Sequence, residues 1–219
     1  MSSSFPTRAL PALLVIACAS QPPPPKVAPG PAPQPSSNGR VTAASQSLVD
    51  GGWGERLLRR LALGVQLPDA AHWREVGGSR WVRLEHPTSR SLLELSTSRE
   101  RRLVSPEECE QRARLERPEL PRPAEGEALD RRRAKLPDET FTNVTVSLEE
   151  AGGEELVGHL TFFGASVGRC LVGHFSTRVS GAERDQEVAR RLRLAVDGIL
   201  PTLRRMAADE RVQPQPFER

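Results

Sequence analysis

Three consecutive segments of β type, separated by only a few residues, constrain this chain more than anything else in it. They read TFTNVTVSLEE (140–150), EELVGHLTFFGA (154–165) and GRCLVGHFSTRV (168–179). β-Branched and aromatic residues recur through all three. The joining stretches Ala151-Gly152-Gly153 and Ser166-Val167 are too short for anything but a tight reversal. A parallel pair would need a crossover of a dozen residues or more, so the sequence predicts an antiparallel meander. With Ser166-Val167 as a two-residue turn, Ala165 pairs with Gly168, and counting outward sets His159 opposite His174. Leu160, Phe162, Leu171 and Phe175 then fill the opposite, apolar face, while Cys170 shares the face of the histidines.

Upstream, LALGVQL (61–67) alternates Leu61, Leu63, Val65 and Leu67 on one side, as a half-buried strand does. RWVRLEH (80–86) and SLLELSTS (91–98) repeat the pattern after turns at Gly77-Gly78 and Pro87. Ser105 as N-cap, Pro106 at the first helical position and two glutamates in the first turn predict a helix of about three turns that carries Cys109. From Pro118 to Asp138 no apolar period is sustained, which predicts a long surface excursion. In ERDQEVARRLRLAVDGILPTLRRM (183–206), Val188, Leu192, Ala195, Val196, Ile199, Leu203 and Met206 form an apolar stripe at steps of three and four. Arg190, Arg191, Arg193, Asp197, Arg204 and Arg205 lie mainly on its other side, and Pro201 kinks the helix. The expectation is an α+β fold: an antiparallel sheet with a mid-chain helix and a long C-terminal amphipathic helix packed on it, in a single domain over 41–208 with a flexible tail at 209–219. Binding of that last helix to a membrane surface is the alternative to its burial on the sheet.

The amino terminus carries a different message. MSSSFPTR supplies positive charge, ALPALLVI is an apolar run of secretory length, and VIAC follows. The run is far short of the roughly 20 apolar residues that a membrane-spanning helix requires. These residues resemble the lipobox signal of bacterial lipoproteins, the alternative being a soluble secreted protein cut nearby. The resemblance implies that residues 1–17 are a signal peptide, that Cys18 receives a diacylglycerol thioether, and that the chain is held in the cell envelope by lipid. By the same resemblance, Ala19, where an inner-membrane retention signal would place aspartate, implies the outer membrane, with the leaflet left open. Residues 18–40, rich in proline, read as an extended linker beside that anchor. Setting Cys18 aside leaves Cys109 and Cys170, an even pair in an oxidising compartment, and a disulfide between them is the expectation over a redox pair or two buried thiols.

The order of elements, together with VQLPDAAHW (65–73) and the ending GRCLVGHFSTRV…ARRLRLAVDGIL, resembles the PsbP-like fold over roughly residues 55–206. That resemblance implies a sandwich of sheet and helices, and a binding or assembly role that the fold alone leaves open.

Charge and composition narrow the function classes. Charged residues make up 27 % of the chain, yet the net charge is only +3, and the arginine clusters at 59–60, 101–102, 131–133 and 190–191 are interleaved with acids. A single-signed phosphate-binding field is not encoded, and with no tyrosine and 4 % aromatics there is little from which to build a stacking platform, so no nucleic-acid partner is expected. Gly164-Ala165-Ser166-Val167-Gly168 matches G-x-S-x-G, but a nucleophile elbow leads from a strand into a helix, and here a strand follows. His159 and His174 on one face could share a metal, although no spaced third ligand accompanies them. His72 and His86 flank turns and point to nothing further. The sequence therefore predicts a lipid-anchored envelope protein that binds or scaffolds, its contacts being the membrane through the lipid on Cys18 and an envelope protein partner, with the role of the loop at 117–138 left open and deletion of Arg117 to Lys135 as the test of its part in binding. No catalytic residue, metal or cofactor is expected. The rival readings are a hydrolase using Ser166 and a metal-binding domain using His159 and His174.

Overall fold

The computed structural model describes residues 48, 51–78 and 80–210, all within one compact unit that spans Ala43–Arg219. The signal segment 1–17, Cys18 and the linker to residue 40 lie outside the described residues.

The meander is the centre of the molecule. Strands β7 (Phe141–Glu150), β8 (Glu155–Ser166) and β9 (Arg169–Ser180) pair antiparallel in sequence order. On the free edge of β9 lies β5 (Ser91–Arg99), followed outward by β4 (Val82–His86) and the two-residue β3 (Arg74–Glu75). On the far side β7 is paired by β6 (Asp130–Lys135), so seven strands run in the order β3-β4-β5-β9-β8-β7-β6. A second sheet holds β1 (Gly54–Leu58), β2 (Leu63–Leu67) and β10 (Arg204–Arg205) in the order β1-β2-β10. With helices α1 (Pro106–Glu116) and α2 (Arg184–Leu194), the architecture is α+β with two antiparallel sheets.

Period-two alternation sorts the large sheet into two faces. One face presents Leu84, Leu93, Val144, Leu160, Phe162, Leu171 and Phe175 to a single core completed by Val188, Leu192 and Ile199 of the C-terminal helical region and by Leu63, Val65 and Leu67 of the small sheet. The close approach of α2 depends on Gly158, where a Cβ would meet Val188 Cγ2 at 2.6 Å. The other face is covered by α1. Its amino end is closed by a reciprocal capping box, the Ser105 hydroxyl accepting from Glu108 N–H while the Glu108 carboxylate accepts from Ser105 N–H. No helix among the described residues is long and apolar enough to cross a membrane.

Six expectations need correction. The β8–β9 turn is Val167-Gly168 rather than Ser166-Val167, because Gly168 takes φ of +69°, a conformation glycine adopts at little cost. His159 therefore pairs with Ser176, and His174 with Thr161. The stretch from Pro118 to Asp138 is not wholly irregular, since it contains β6, an arginine-bearing edge strand. GERLL, ahead of the predicted first strand, forms β1, while Arg59–Leu61 is a 3-10 turn and the following strand starts at Leu63. The last helix does not run to Met206. Proline lacks the N–H that would continue the ladder through position 201, so hydrogen bonding widens to a π turn over Ala195–Ile199, tightens over Leu200–Thr202, and gives way to β10. Arg191, assigned to the solvated side, is buried, its Nη1 donating to Ser89 O at 2.5 Å and Thr177 Oγ1 at 3.1 Å. The start of the expected loose tail is tied down as well, Glu210 accepting from Arg204 Nη2 at 2.6 Å and from Ala207 N–H at 2.7 Å.

Phe162 and Gly173 face each other across β8 and β9, with the ring lying over the glycine. A Cβ at position 173 would fall 1.9 Å from Phe162 Cζ, and Phe162, at 1 % exposure, has no space into which to swing. Gly173→Ala should lower stability by about 1–3 kcal/mol in urea unfolding. Combined with Phe162→Leu, the loss should be smaller than the sum of the two single losses.

Candidate functional site

The face of the large sheet that carries α1 also carries its buried polar groups. Glu94 on β5 pairs with His174 on β9, and His159 on β8 pairs with Ser147 on β7, so alternation turns all four to the same side. The expected meeting of the two histidines occurs, diagonally rather than directly. Their rings stack with centroids 5.3 Å apart, and His159 Nδ1 lies 3.1 Å from His174 Nε2. On its other nitrogen, His174 Nδ1 lies 3.3 Å from a Glu94 carboxylate oxygen. The row ends at Glu149, 3.3 Å from His159 Nε2 in an ion-pair contact that lacks hydrogen-bond geometry.

Glu94 is the anchor of the row. It is 3 % exposed and accepts from Arg117 Nη1 at 3.0 Å and Nη2 at 3.4 Å, with Arg83 Nε at 3.2 Å. Arg117 follows α1 directly and lies over the Trp81 ring at 4.8 Å. Burial would raise the Glu94 pKa, but the hydrogen bonds from His174 and Arg117 outweigh it and hold the carboxyl at about 2. Burial, and then the neighbouring His174, push the His159 imidazole down to about 4. His159 is therefore neutral near neutral pH, and among the described residues its Nε2 is the buried side-chain polar atom that makes no hydrogen bond.

Helix α1 is fastened over this face by the disulfide. Cys109 and Cys170 are bonded, with their Cα atoms 5.6 Å apart. Beside the bridge, Ala113, Leu120, Phe163 and Val172 form a small separate core, with Arg114 over the Phe163 ring at 5.2 Å.

Beyond α1 the segment up to β6 borders two clefts that share Arg122 and Pro123. The smaller, of about 450 Å³, is lined by Arg114, Arg122, Arg131, Arg132 and Arg133 against a single acid, Glu110. The larger, of about 560 Å³, has Glu127, Ser147, Glu149 and His159 in its wall. Several of the guanidiniums are engaged, Arg114 with Glu110 at 2.8 Å, Arg132 with Asp197 at 3.0 Å and Arg133 with Glu107 at 3.3 Å. Arg131 donates to the carbonyls of Pro123 and Ala124, which shapes the wall. Such a wall can hold a carboxylate or phosphate by charge-assisted, forked hydrogen bonds.

The other candidate residues are not brought together. Ser166 stands at the end of β8, before the hairpin turn, with no helix following it. Along an extended strand, seven residues separate it from His159 by roughly 23 Å. Among the described residues, His159 and His174 share no third metal ligand, because Glu94 approaches His174 and Glu149 approaches His159 at opposite ends of the row. Sequence reasoning missed Glu94, although a glutamate in register with Leu92 and Ser96, on the face opposite Leu93 and Leu95, was a visible signal. It also missed Arg117, whose partner Glu94 is 23 positions away, and Arg122, which only the fold sets beside the arginines of β6.

No protein-family model matches the chain, and no curated protein does. Among solved structures, the chain is similar to a protein from Bacteroides thetaiotaomicron, with 10 % sequence identity and a TM-score of 0.43 over 71 % of this chain. The match spans about half, 49 %, of that protein's length.

The two perturbed groups titrate in separate windows. His159 has a folded pKa of about 4, below the roughly 6.5 of a free imidazole, so the unfolded chain binds a proton that the folded chain refuses. Its contribution is fully present above pH ~6.5 and is lost as the pH falls toward 4. His159→Gln should flatten that part of a urea-unfolding series against pH. Glu94, held near 2 from an ordinary 4.5, contributes stability that is present above 4.5 and lost between 4.5 and 2. Glu94→Gln should cost about 3–5 kcal/mol at pH 7, by leaving two guanidiniums without their carboxylate, and the deficit should shrink below pH 4.5.

Proposed function

We propose that the chain is a lipid-anchored cell-envelope protein, held by acyl chains on Cys18, whose α+β domain binds an anionic protein partner rather than catalysing a reaction. The observation that carries this reading is the joining of Cys109 to Cys170. A structural disulfide belongs to an oxidising compartment, and it leaves Cys18 as the one cysteine not consumed by folding. That cysteine follows Val15-Ile16-Ala17, behind a short apolar run and Arg8, as a lipobox would have it. Acyl chains contribute about 0.8 kcal/mol for each buried methylene, so a diacylated thioether with a further amide-linked chain anchors the chain for long periods. Ala19 supports the outer membrane as the address.

The arginine-lined cleft between α1 and β6 supports the binding role. Arg122 makes no ion pair or hydrogen bond among the described residues, and the edge strand β6 places three exposed arginines beside it. An acidic segment of an envelope protein would meet guanidiniums already fixed in place by α1, Asp197 and the carbonyls of the 117–138 stretch. The finer fold assignment, a PsbP-like sandwich, belongs to the same reading and is supported by the sequence patterns at 65–73 and in the C-terminal third. Assembly roles for that fold agree with a binding domain.

Two measurements test the proposal. Intact mass of the chain from native cells should show acylation at Cys18, and Cys18→Ser should release the protein into the soluble fraction. An unmodified thiol at Cys18 would sink the anchor. In pull-downs from detergent-solubilised envelopes, the double variant Arg122→Glu, Arg131→Glu should lose the partner that the native chain retains. Both side chains are exposed, so the fold should be kept, and undiminished capture would remove the cleft from the binding role.

A further inference from the structure

At the opposite edge of the large sheet, a second group of histidines converges on one carboxylate. Asp69 follows β2 with φ of 50° and ψ of 46°, a left-handed conformation uncommon for a residue other than glycine. It is held there by close packing of the chain before β1, where a Cβ on Gly51 would fall 2.4 Å from Asp69 Cβ. This backbone turns the carboxylate between two imidazoles. Asp69 Oδ1 lies 2.7 Å from His72 Nδ1, and Oδ2 lies 3.0 Å from His86 Nε2. The donor atoms of all three residues lie within 4.8 Å of one another.

His86 is fully buried and is oriented from behind. Its Nδ1 lies 2.7 Å from Ser89 Oγ and 3.2 Å from Ser89 N. The chain of hydroxyls continues from Ser89 to Ser91 at 3.0 Å and on to Thr177 at 2.9 Å, where Arg191 Nη1 donates at 3.1 Å. Trp73 packs on the His86 ring at 5.4 Å and is itself fixed by its indole N–H donating to Pro68 O at 2.8 Å. The Asp69 side chain is 17 % exposed and that of His72 59 %, so the group opens to solvent on the His72 side.

We propose that Asp69, His72 and His86 form a binding site for one divalent first-row transition ion of the Zn²⁺ type. Two imidazole nitrogens and a carboxylate oxygen are the donors such ions select over Ca²⁺ or Mg²⁺. Three protein ligands with a solvent-facing fourth position form an open tetrahedral set, the water entering beside His72. Ligand atoms around such an ion stand about 3.3 Å apart, and exposed His72 is the member free to adjust. On binding, the metal takes the lone pair of His86 Nε2, the ring proton shifts to Nδ1 and is donated in a hydrogen bond to Ser89 Oγ, and the contact that Ser89 N–H makes to Nδ1 without the metal is given up. No net proton is released by that tautomer change. Ser89 Oγ thus does for the metal-bound His86 what an outer-sphere partner does for a ligating imidazole, accepting its Nδ1–H and holding the ring plane.

The test is titration of the EDTA-treated, detergent-solubilised full chain with ZnCl₂, followed by calorimetry and by metal analysis after gel filtration. One equivalent of zinc should bind, and it should raise the melting temperature. His72→Ala, at an exposed position that the core does not need, and Asp69→Asn should each weaken binding by on the order of 100-fold or more, while Ser89→Ala should weaken it by about 10-fold. His159→Gln should leave it unchanged. Absence of saturable binding, or binding that survives both His72→Ala and Asp69→Asn, would overturn the assignment.

Discussion

The helix-covered face of the large sheet depends on a charge that cannot be solvated. Glu94 stands in mid-strand at 3 % exposure, and a carboxylate so placed costs several kcal/mol unless it is paired and hydrogen-bonded. Arg117, Arg83 and His174 provide that compensation. Because Arg117 is the first residue after α1, the pairing fixes where the helix ends and where the 117–138 stretch begins. The disulfide from Cys109 does the same for the amino-terminal part of the helix. Helix α1 is thus clamped twice, once covalently and once electrostatically. The clamps have different sensitivities, one to reductant and the other to acid.

That double clamp explains how a weakly apolar helix stays on its sheet. Only Cys109 and Ala113 of α1 are buried, and the small core around Phe163 is separate from the main one. Hydrophobic area alone would hold α1 loosely. Closing a loop over a sequence separation of 61 residues by the disulfide contributes up to about 4 kcal/mol in the chain-entropy limit, comparable with the loss expected when Glu94 is neutralised. On the apolar face the balance is reversed. There Val188, Leu192, Ala195, Val196 and Ile199 are all buried in the main core. The polar exception, Arg191, is satisfied by the Ser89 carbonyl, Thr177 and Glu187.

Much of this was legible in local periodicity. The alternation of 154–179 placed Leu160, Phe162, Leu171 and Phe175 on the apolar face and Cys170 on that of the histidines, as in the structure, even though the turn lies one residue further along. Moving the turn from 166–167 to 167–168 slides the register by two positions, and a slip of two keeps side chains on the same face. For that reason His159 and His174 still meet, though diagonally. Edge strands were harder to read. DRRRAK and GERLL bury almost nothing, so they carry no hydrophobic alternation and owe their extended form to backbone pairing with β7 and β2. The buried charges were illegible for another reason, since Glu94 finds Arg117 across 23 positions and Arg191 finds Ser89 across 102. No local window contains both members of either pair.

The two histidine groups show how surroundings, rather than residue type, decide what imidazoles can do. His159 and His174 aim nitrogens at each other, and the carboxylate behind them is engaged by two guanidiniums that would repel an incoming cation. That pair is built to stay neutral at His159 and to carry Glu94. Around Asp69 the arrangement is inverted. Among the described residues its carboxylate is bonded by imidazoles and by no guanidinium, and both rings aim a nitrogen at it from different directions. Each N–H···O contact there can be exchanged for a metal bond without leaving a buried charge uncompensated, because the ion supplies the positive charge that the carboxylate lacks. In the first group the same exchange would require displacing an arginine that also anchors α1.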